Sequence, residues 1–358
     1  MRVDIAVVGA GAAGAAAAAI LARAASVVLI DRVAQPVWRI GETLPGAARR
    51  PLAEIGAWPD FLAAGHDPAP LKISRWGSDE PVTLDAFRDP DGVGWRIDRA
   101  RFEADLRSNA LRSGAQLLSP VHVERIVATT NGWSVVLDNG SAVDARVLID
   151  ASGRRSRLLR DHGQRHMVAD RLACAYQTVE ADSGDTATYI EATEDGWWYS
   201  AVLPDNRRLV AFHGDSDLGA VARVLETGPV VAALSIAGLA DIVGAVDAST
   251  WSPPAMCSAA SIAHSAAGKH WLAAGDAALA FDPLSSQGLF NALVTGIEAG
   301  NNALAMLDDA SADIAMRDHA AMIGRVWQAY AEHHATYYRM EQRWPDASFW
   351  HRRHGPVR

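Results

Sequence analysis

The sequence predicts an α/β protein: a Rossmann-like nucleotide-binding domain, joined to a β-sheet domain and followed by C-terminal helices. Three observations carry this. An apolar strand runs straight into a glycine-rich turn and an alanine-rich helix at the start of the chain. Strand-like runs separated by turn residues fill much of 172–214. The stretch from Ala312 to Arg343 reads as one or two helices.

At 358 residues the chain exceeds the usual size of one compact core, so two cooperating lobes are expected. Hydrophobic residues at 49% and charged residues at 21% are ordinary for a globular enzyme and too apolar for a disordered chain. A formal net charge of -9 argues against a nucleic-acid partner, because phosphate binding wants a basic surface. Only two cysteines occur, Cys174 and Cys257, so no disulfide framework exists; two buried thiols in a reducing cytoplasm are expected. The start, Met1 to Val8, is not a signal peptide. No uninterrupted apolar run reaches the roughly 20 residues that span a bilayer, so a soluble protein without a membrane partner is expected.

Asp4 to Val8 reads as a buried strand, followed at once by Gly9-Ala10-Gly11-Ala12-Ala13-Gly14, a helix from about Gly14 to Ala24, and a second strand, Ser26 to Ile30, ending in Asp31. Gly9 permits the tight turn, Gly11 lets backbone approach a pyrophosphate, and Gly14 lets the helix pack close to the strands. The helix start offers free N–H groups to phosphate, with Ala12 and Ala13 in the loop leading into it. Asp31 sits where a carboxylate accepts both ribose hydroxyls, with Arg32 beside it, and it disfavours a 2′-phosphate. FAD or NAD is therefore expected here rather than NADP.

Arg39-Ile40-Gly41-Glu42-Thr43-Leu44-Pro45 precedes a helix from Gly46 to Ile55, and Trp95 to Leu106 reads as another helix. Residues 117–149 look like alternating strands with hairpin turns at Asn131-Gly132 and Asn139-Gly140. The apolar strand from Val147 runs into Asp150-Ala151-Ser152-Gly153. Strands follow at Leu172–Glu180, 186–192, 197–203 and 208–214, then helices near 218–226 and 229–237. A further apolar strand, Lys269 to Ala274, ends in Gly275-Asp276. Beyond it lie Phe281-Asp282-Pro283-Leu284-Ser285-Ser286-Gln287-Gly288 and a helix from about Gln287 to Leu307. The tail, Trp344 to Arg358, is aromatic and basic, and either docks or frays.

The first strand–turn–helix with Asp31, the Asp150 strand and the Gly275-Asp276 strand together resemble the FAD-dependent monooxygenase superfamily that includes aromatic hydroxylases and flavin-dependent halogenases. The resemblance implies a GR2-type FAD-binding domain and a substrate domain like that of p-hydroxybenzoate hydroxylase. The FAD domain would be discontinuous, over 1–65, 95–165 and 260–308. The substrate domain would take 66–94 and 166–260, leaving 309–358 as C-terminal helices and tail. It implies FAD as cofactor, with Asp276 on the ribitol and Arg99 on the phosphate side. The turn Pro283, Ser286, Gln287 and Gly288 would aim a helix start at the pyrimidine end of the flavin, where the reduced ring is negative. Arg96 and Arg101 are expected on an exposed helix face. Glu42 and Thr43 would pass the flavin edge, although Thr43 and Pro45 equally suit a helix start.

Gly196-Trp197-Trp198-Tyr199-Ser200 is similar to the Gly-Trp-x-Trp segment of flavin-dependent halogenases, and reads either as a pocket wall or as core packing. Halogenation itself is disfavoured. Such halogenases use a lysine to direct hypohalous acid, and the tryptophan-specific ones a glutamate where this chain has Ser285; the only lysines are Lys72 and Lys269. The chain more closely resembles small flavoproteins that mature tryptophylquinone-containing oxidases. That resemblance implies a monooxygenase working through a flavin hydroperoxide, with O2 and either a small aromatic or a partner protein's tryptophan as substrates. A reductase of the geranylgeranyl-reductase-like branch is the alternative. No second glycine-rich nucleotide fold is present, so NAD(P)H binding transiently, or a separate flavin reductase, would supply electrons. No histidine spacing suggests a metal site. Glu42, Tyr199 and His213 are the catalytic candidates, Tyr199 and His213 as substrate contacts on neighbouring strands.

Overall fold

The computed structural model describes residues 1–86, 89–156, 158–181, 186–243 and 251–355. Its first sheet grows from the opening strand. Arg2–Val8 pairs in parallel with Val27–Ile30 on one side and Ala142–Asp150 on the other. Trp271–Ala273 and Gln116–Leu118 extend the sheet at either edge. A parallel sheet covered on both faces needs near-continuous apolar strands, and Val27–Ile30 is buried at every position. Alternation still sorts the side chains. Ile5, Val7, Val27 and Leu29 face the helices Ala12–Leu21, Arg99–Arg112 and Gly288–Ala305. Ala6, Val8, Val28 and Ile30 face the other side, against Trp133, Trp271 and the long helix Ala312–Arg339.

The alanine-rich first helix is buried along its whole length. Its small side chains let the helix Gly288–Ala305 approach to backbone contact, since a Cβ on Gly296 would lie 2.3 Å from the Ala13 carbonyl oxygen. The helix starts at Ala12 rather than Gly14, because Ala15 N–H already donates to Gly11 O at 2.9 Å. Strands Val123–Thr129, Gly132–Leu137 and Ala142–Asp150 form the expected meander, turning at both Asn-Gly pairs.

The second sheet has seven strands in the order 255–258, 172–180, 207–215, 196–202, 188–193, 71–75, 82–85. One face is covered by the helices Ala220–Thr227 and Pro229–Ala233, which pack on Ala173, Trp198, Val210 and Phe212. The opposite face carries Cys174, Trp197, Ala211 and Leu209 and meets the C-terminal Tyr338, Phe349 and Trp350.

Two expectations change. The segment Trp95–Leu106 is not one helix: Gly94–Arg96 is a strand, and the helix begins at Arg99 because Asp98 caps it, accepting from Arg101 N–H at 3.1 Å. Arg101 is exposed as expected, whereas Arg96 is buried and donates to the carbonyls of Pro68, at 2.9 Å, and Thr186. The segment after Pro45 is a short 3₁₀ turn, Gly46–Ala48, before the α-helix Arg49–Glu54. The tail docks rather than frays. Ser348–His354 is helical, Trp350 is fully buried with its Nε1 donating to Thr193 O at 2.9 Å, and residues 356–358 lie outside the described part. Among the described residues no helix is long and apolar enough to cross a membrane.

Candidate flavin and substrate cavity

Between the two sheets lies a cavity of about 440 Å³. Its first end is the glycine loop. Gly9 has φ +102°, and a Cβ there would sit 2.3 Å from Ala151 O, so only glycine makes this turn. Gly11, Ala12 and Ala13 line the cavity beside it. Gly14 does not line it; it packs behind the loop, where a Cβ would fall 1.8 Å from Gly9 O. Asp31 and Arg32 line the same end. The Asp31 carboxylate is fixed before any ligand arrives: Ala10 N–H donates to it at 2.6 Å, Val33 N–H at 2.9 Å, and Arg107 pairs with it at 3.1 Å. Arg107 also donates to Ala10 O and Val33 O, bracing the loop from the helix Arg99–Arg112. The sequence reading passed over Arg107; the only signal was its position two turns after Arg99 on the same helix.

Arg99 lines the cavity, held by Glu103 at 2.9 Å and by the Gly41 carbonyl at 2.8 Å. Burial pulls its guanidinium below its ordinary value, and Glu103 opposes this. Glu103 also binds Arg39, at 2.5 Å. These contacts fasten the Gly41-Glu42-Thr43 segment, which lines the cavity next. Glu42 is buried, accepting from Gly41 N–H at 3.0 Å and from the Tyr199 hydroxyl at 2.5 Å. Thr43 Oγ1 lies 3.2 Å from the same hydroxyl. Burial, reinforced by the Glu42 charge, pushes the Tyr199 phenol well above its usual range, so it remains a donor.

Gly275 and Asp276 line the floor; Gly275 N–H donates to Thr295 and Asp276 faces Arg154 at 3.5 Å. Pro283, Ser286, Gln287 and Gly288 close the far end, where the helix Gly288–Ala305 begins. A Cβ on Gly288 would meet nothing within 4 Å, so this helix start is open to a ligand. Asp282 positions the turn. It is buried, accepts Leu284 N–H at 2.8 Å, Tyr338 O–H at 2.7 Å and His334 Nε2 at 3.1 Å. Burial pushes the Asp282 carboxyl up, but these bonds, led by His334, prevail and hold it below its ordinary value. Tyr338 in turn accepts from Trp197 Nε1 at 2.9 Å, tying the flavin-side turn to the second sheet. The sequence offered two overlooked signals: an Asp-Pro cap, and Tyr330, His334 and Tyr338 spaced one helical turn apart.

The second sheet supplies the remaining wall. Cys257, Cys174, His213 and Trp197 stand in one transverse register across four neighbouring strands, and Tyr199 stands two residues on. All five line the cavity. The His213 ring stacks on Trp197 at 3.7 Å with 6° between planes. Burial lowers its pKa to about 4, so the imidazole is neutral at physiological pH. Its Nδ1 is buried without a hydrogen-bond partner among the described residues.

A glycine loop and helix start at one end, an open helix start at the other, and an aromatic wall facing the space between them fit FAD. Every residue expected to touch the cofactor lines this one cavity except Gly14. No cluster of three or more His, Cys, Asp or Glu residues able to hold a metal ion occurs among the described residues.

Comparisons with known proteins identify the family. The sequence profile of the tryptophan halogenase family matches residues 72–356. Among curated relatives, the putative FAD-dependent oxidoreductase LodB of Marinomonas mediterranea is 29% identical, over 98% of this chain and 96% of that one. A menaquinone reductase of Mycobacterium tuberculosis is 30% identical, over 85% of this chain and 76% of its own. Among solved structures, the peptidyl tryptophan dihydroxylase QhpG superposes with a TM-score of 0.80 at 24% identity, covering 99% of this chain and 79% of that one. The chain belongs to the tryptophan halogenase family, and its cavity fits the FAD cofactor of that flavoprotein fold.

Proposed function

We propose that the chain is an FAD-dependent monooxygenase that hydroxylates an electron-rich aromatic, and that this aromatic is a tryptophan side chain of a partner protein. Within a family named for halogenation, the observation that carries the reading is the cavity's lining. It contains no lysine, and Lys72 lies on the strand Leu71–Arg75, outside it. Oxygen transfer to an aromatic in such a cavity needs no lysine relay. QhpG, which matches this chain along nearly all its length, is a peptidyl tryptophan dihydroxylase, and that supports a protein-borne substrate.

Bound in the cavity and reduced by an external donor, FAD would carry the electrons and supply the oxygen activation. The chain's own residues orient and exclude. Asp282, His334 and Tyr338 fix the turn that would meet one flavin edge, Glu42 and Tyr199 fix the segment that would meet another, and the Trp197–His213 stack offers a flat apolar wall to an indole. A neutral His213 places no charge where water must be kept out.

The test supplies the reduced flavoprotein, NADH with a flavin reductase, tryptophan-containing protein substrates and isotopically labelled O2. Labelled oxygen on a tryptophan is the expected result. Halide incorporation instead would establish a halogenase, and a reduced product without oxygen uptake a reductase, the direction in which the menaquinone reductase relative points.

A further inference from the structure

The two cysteines, the only ones in the chain, lie far apart in sequence yet meet across neighbouring strands in the cavity wall. Ala259 N–H donates to Leu172 O at 3.0 Å. Hydrogen-bonded pairs recur at every second position of an antiparallel ladder, which makes Cys174 and Cys257 such a pair, with Cα atoms about 5.5 Å apart. Disulfides span about 4.4–6.8 Å between Cα atoms, so this separation lies within their range, and closing the bond needs the Cβ atoms drawn from the roughly 5.5 Å of a hydrogen-bonded pair to about 4 Å. Both are free thiols.

Their environments differ. Cys174 is fully buried, and burial pushes its thiol up, so it stays protonated. Cys257 is partly exposed to the cavity. The neighbouring Cys174 thiol holds the Cys257 thiol below its ordinary value, burial opposes this, and the positive charges of Arg154 and Arg155 add to the lowering. Cys257 is the more accessible sulfur, which makes it the attacking one and the buried Cys174 the resolving one.

We propose that Cys174 and Cys257 are a redox-active dithiol that consumes hydrogen peroxide inside the flavin cavity. The Cys257 thiolate attacks one peroxide oxygen; the S–O bond forms, the O–O bond breaks, and the departing hydroxide takes a proton to become water. Cys257 is then a sulfenic acid. The Cys174 sulfur attacks the Cys257 sulfur, the S–S bond forms, the S–O bond breaks, and that oxygen leaves with the Cys174 proton as a second water. Two thiols and one peroxide thus give one disulfide and two waters, a two-electron oxidation of sulfur matched by a two-electron reduction of peroxide. The source of peroxide rests on the oxygen chemistry proposed above, because reduced flavin that meets O2 without substrate releases it. The dithiol chemistry rests on the strand register alone.

The test exposes the reduced, purified flavoprotein to equimolar hydrogen peroxide, blocks remaining thiols with an alkylating agent, and reads intact mass and tryptic peptides. Expected is loss of both thiols together and a cross-linked peptide joining Cys174 to Cys257. In C174S, Cys257 should accumulate as a sulfenic acid that dimedone traps. In C257S, Cys174 should react at least about ten-fold more slowly, in line with its buried, protonated thiol. Two fully alkylatable thiols after a dose that oxidises free glutathione would overturn the proposal, as would separate sulfinic acids with no cross-linked peptide. Disulfide formation in a protein that puts no oxygen on tryptophan would leave the dithiol standing and remove only the oxygenase reading.

Discussion

At the scale of single residues, the cavity is governed by groups held in one protonation state. His213 is the clearest. Its pKa falls from 6.5 to about 4 because burial disfavours the imidazolium. The unfolded chain binds that proton near pH 6.5 and the folded chain only near 4, so His213 favours the fold fully above 6.5 and progressively less as pH falls towards 4. The full effect is on the order of 3 kcal/mol. Urea unfolding of the wild type and of H213N at pH 7.5 and pH 4.5 should show the stability gap shrinking at the lower pH; a gap independent of pH would sink the assignment. Tyr199 makes the complementary case. Tyr199→Phe leaves the buried Glu42 without its 2.5 Å donor, which should cost about 1–3 kcal/mol in urea unfolding. The double variant E42Q/Y199F should lose less than the two single losses added, because each single change strands the other partner.

At the scale of elements, the nucleotide half was legible and the wall of the cavity largely was not. Strand, glycine loop, helix and acid lie within one contiguous stretch, and each residue type there answers a local steric demand, as Gly9 with φ +102° does. The transverse row of Cys257, Cys174, His213 and Trp197 comes from strands distant in sequence, and only the sheet register brings them together. Local periodicity finds such strands but not their order. Arg96 departs from expectation for a local reason: Asp98 caps the helix, so the helical pattern stops there and leaves Arg96 on a strand. The contrast between two glycines tests the nucleotide element. Gly14→Ala drives a Cβ into Gly9 O, whereas Gly288→Ala points into open space. G14A should lose the yellow colour on gel filtration and several degrees of Tm, while G288A should keep the stability of the wild type. Equal tolerance of both would contradict the packing described.

At the scale of the whole molecule, the C-terminal helices join the two sheets. The long helix Ala312–Arg339 packs on the first sheet through Ile323 and on the flavin-side turn through His334 and Tyr338. The terminal helix then reaches the second sheet, where Arg353 pairs with Asp215 at 2.7 Å and Trp350 fills the core. A chain ending at Arg343 loses both. Asp215 is almost wholly buried, and removing Arg352 and Arg353 strands its charge, which should cost on the order of 3–5 kcal/mol beyond the lost packing of Trp350 and Phe349. The electrostatic share is separable. In the truncated chain, Asp215→Asn removes the orphaned charge and should recover part of the loss in Tm, whereas in the full-length chain the same change leaves Arg353 unpaired and should lower Tm. Opposite signs in the two backgrounds would show that the tail clamps the second sheet by charge as well as by packing. A D215N change that lowers Tm equally in both would mean that the terminal helix contributes apolar burial alone.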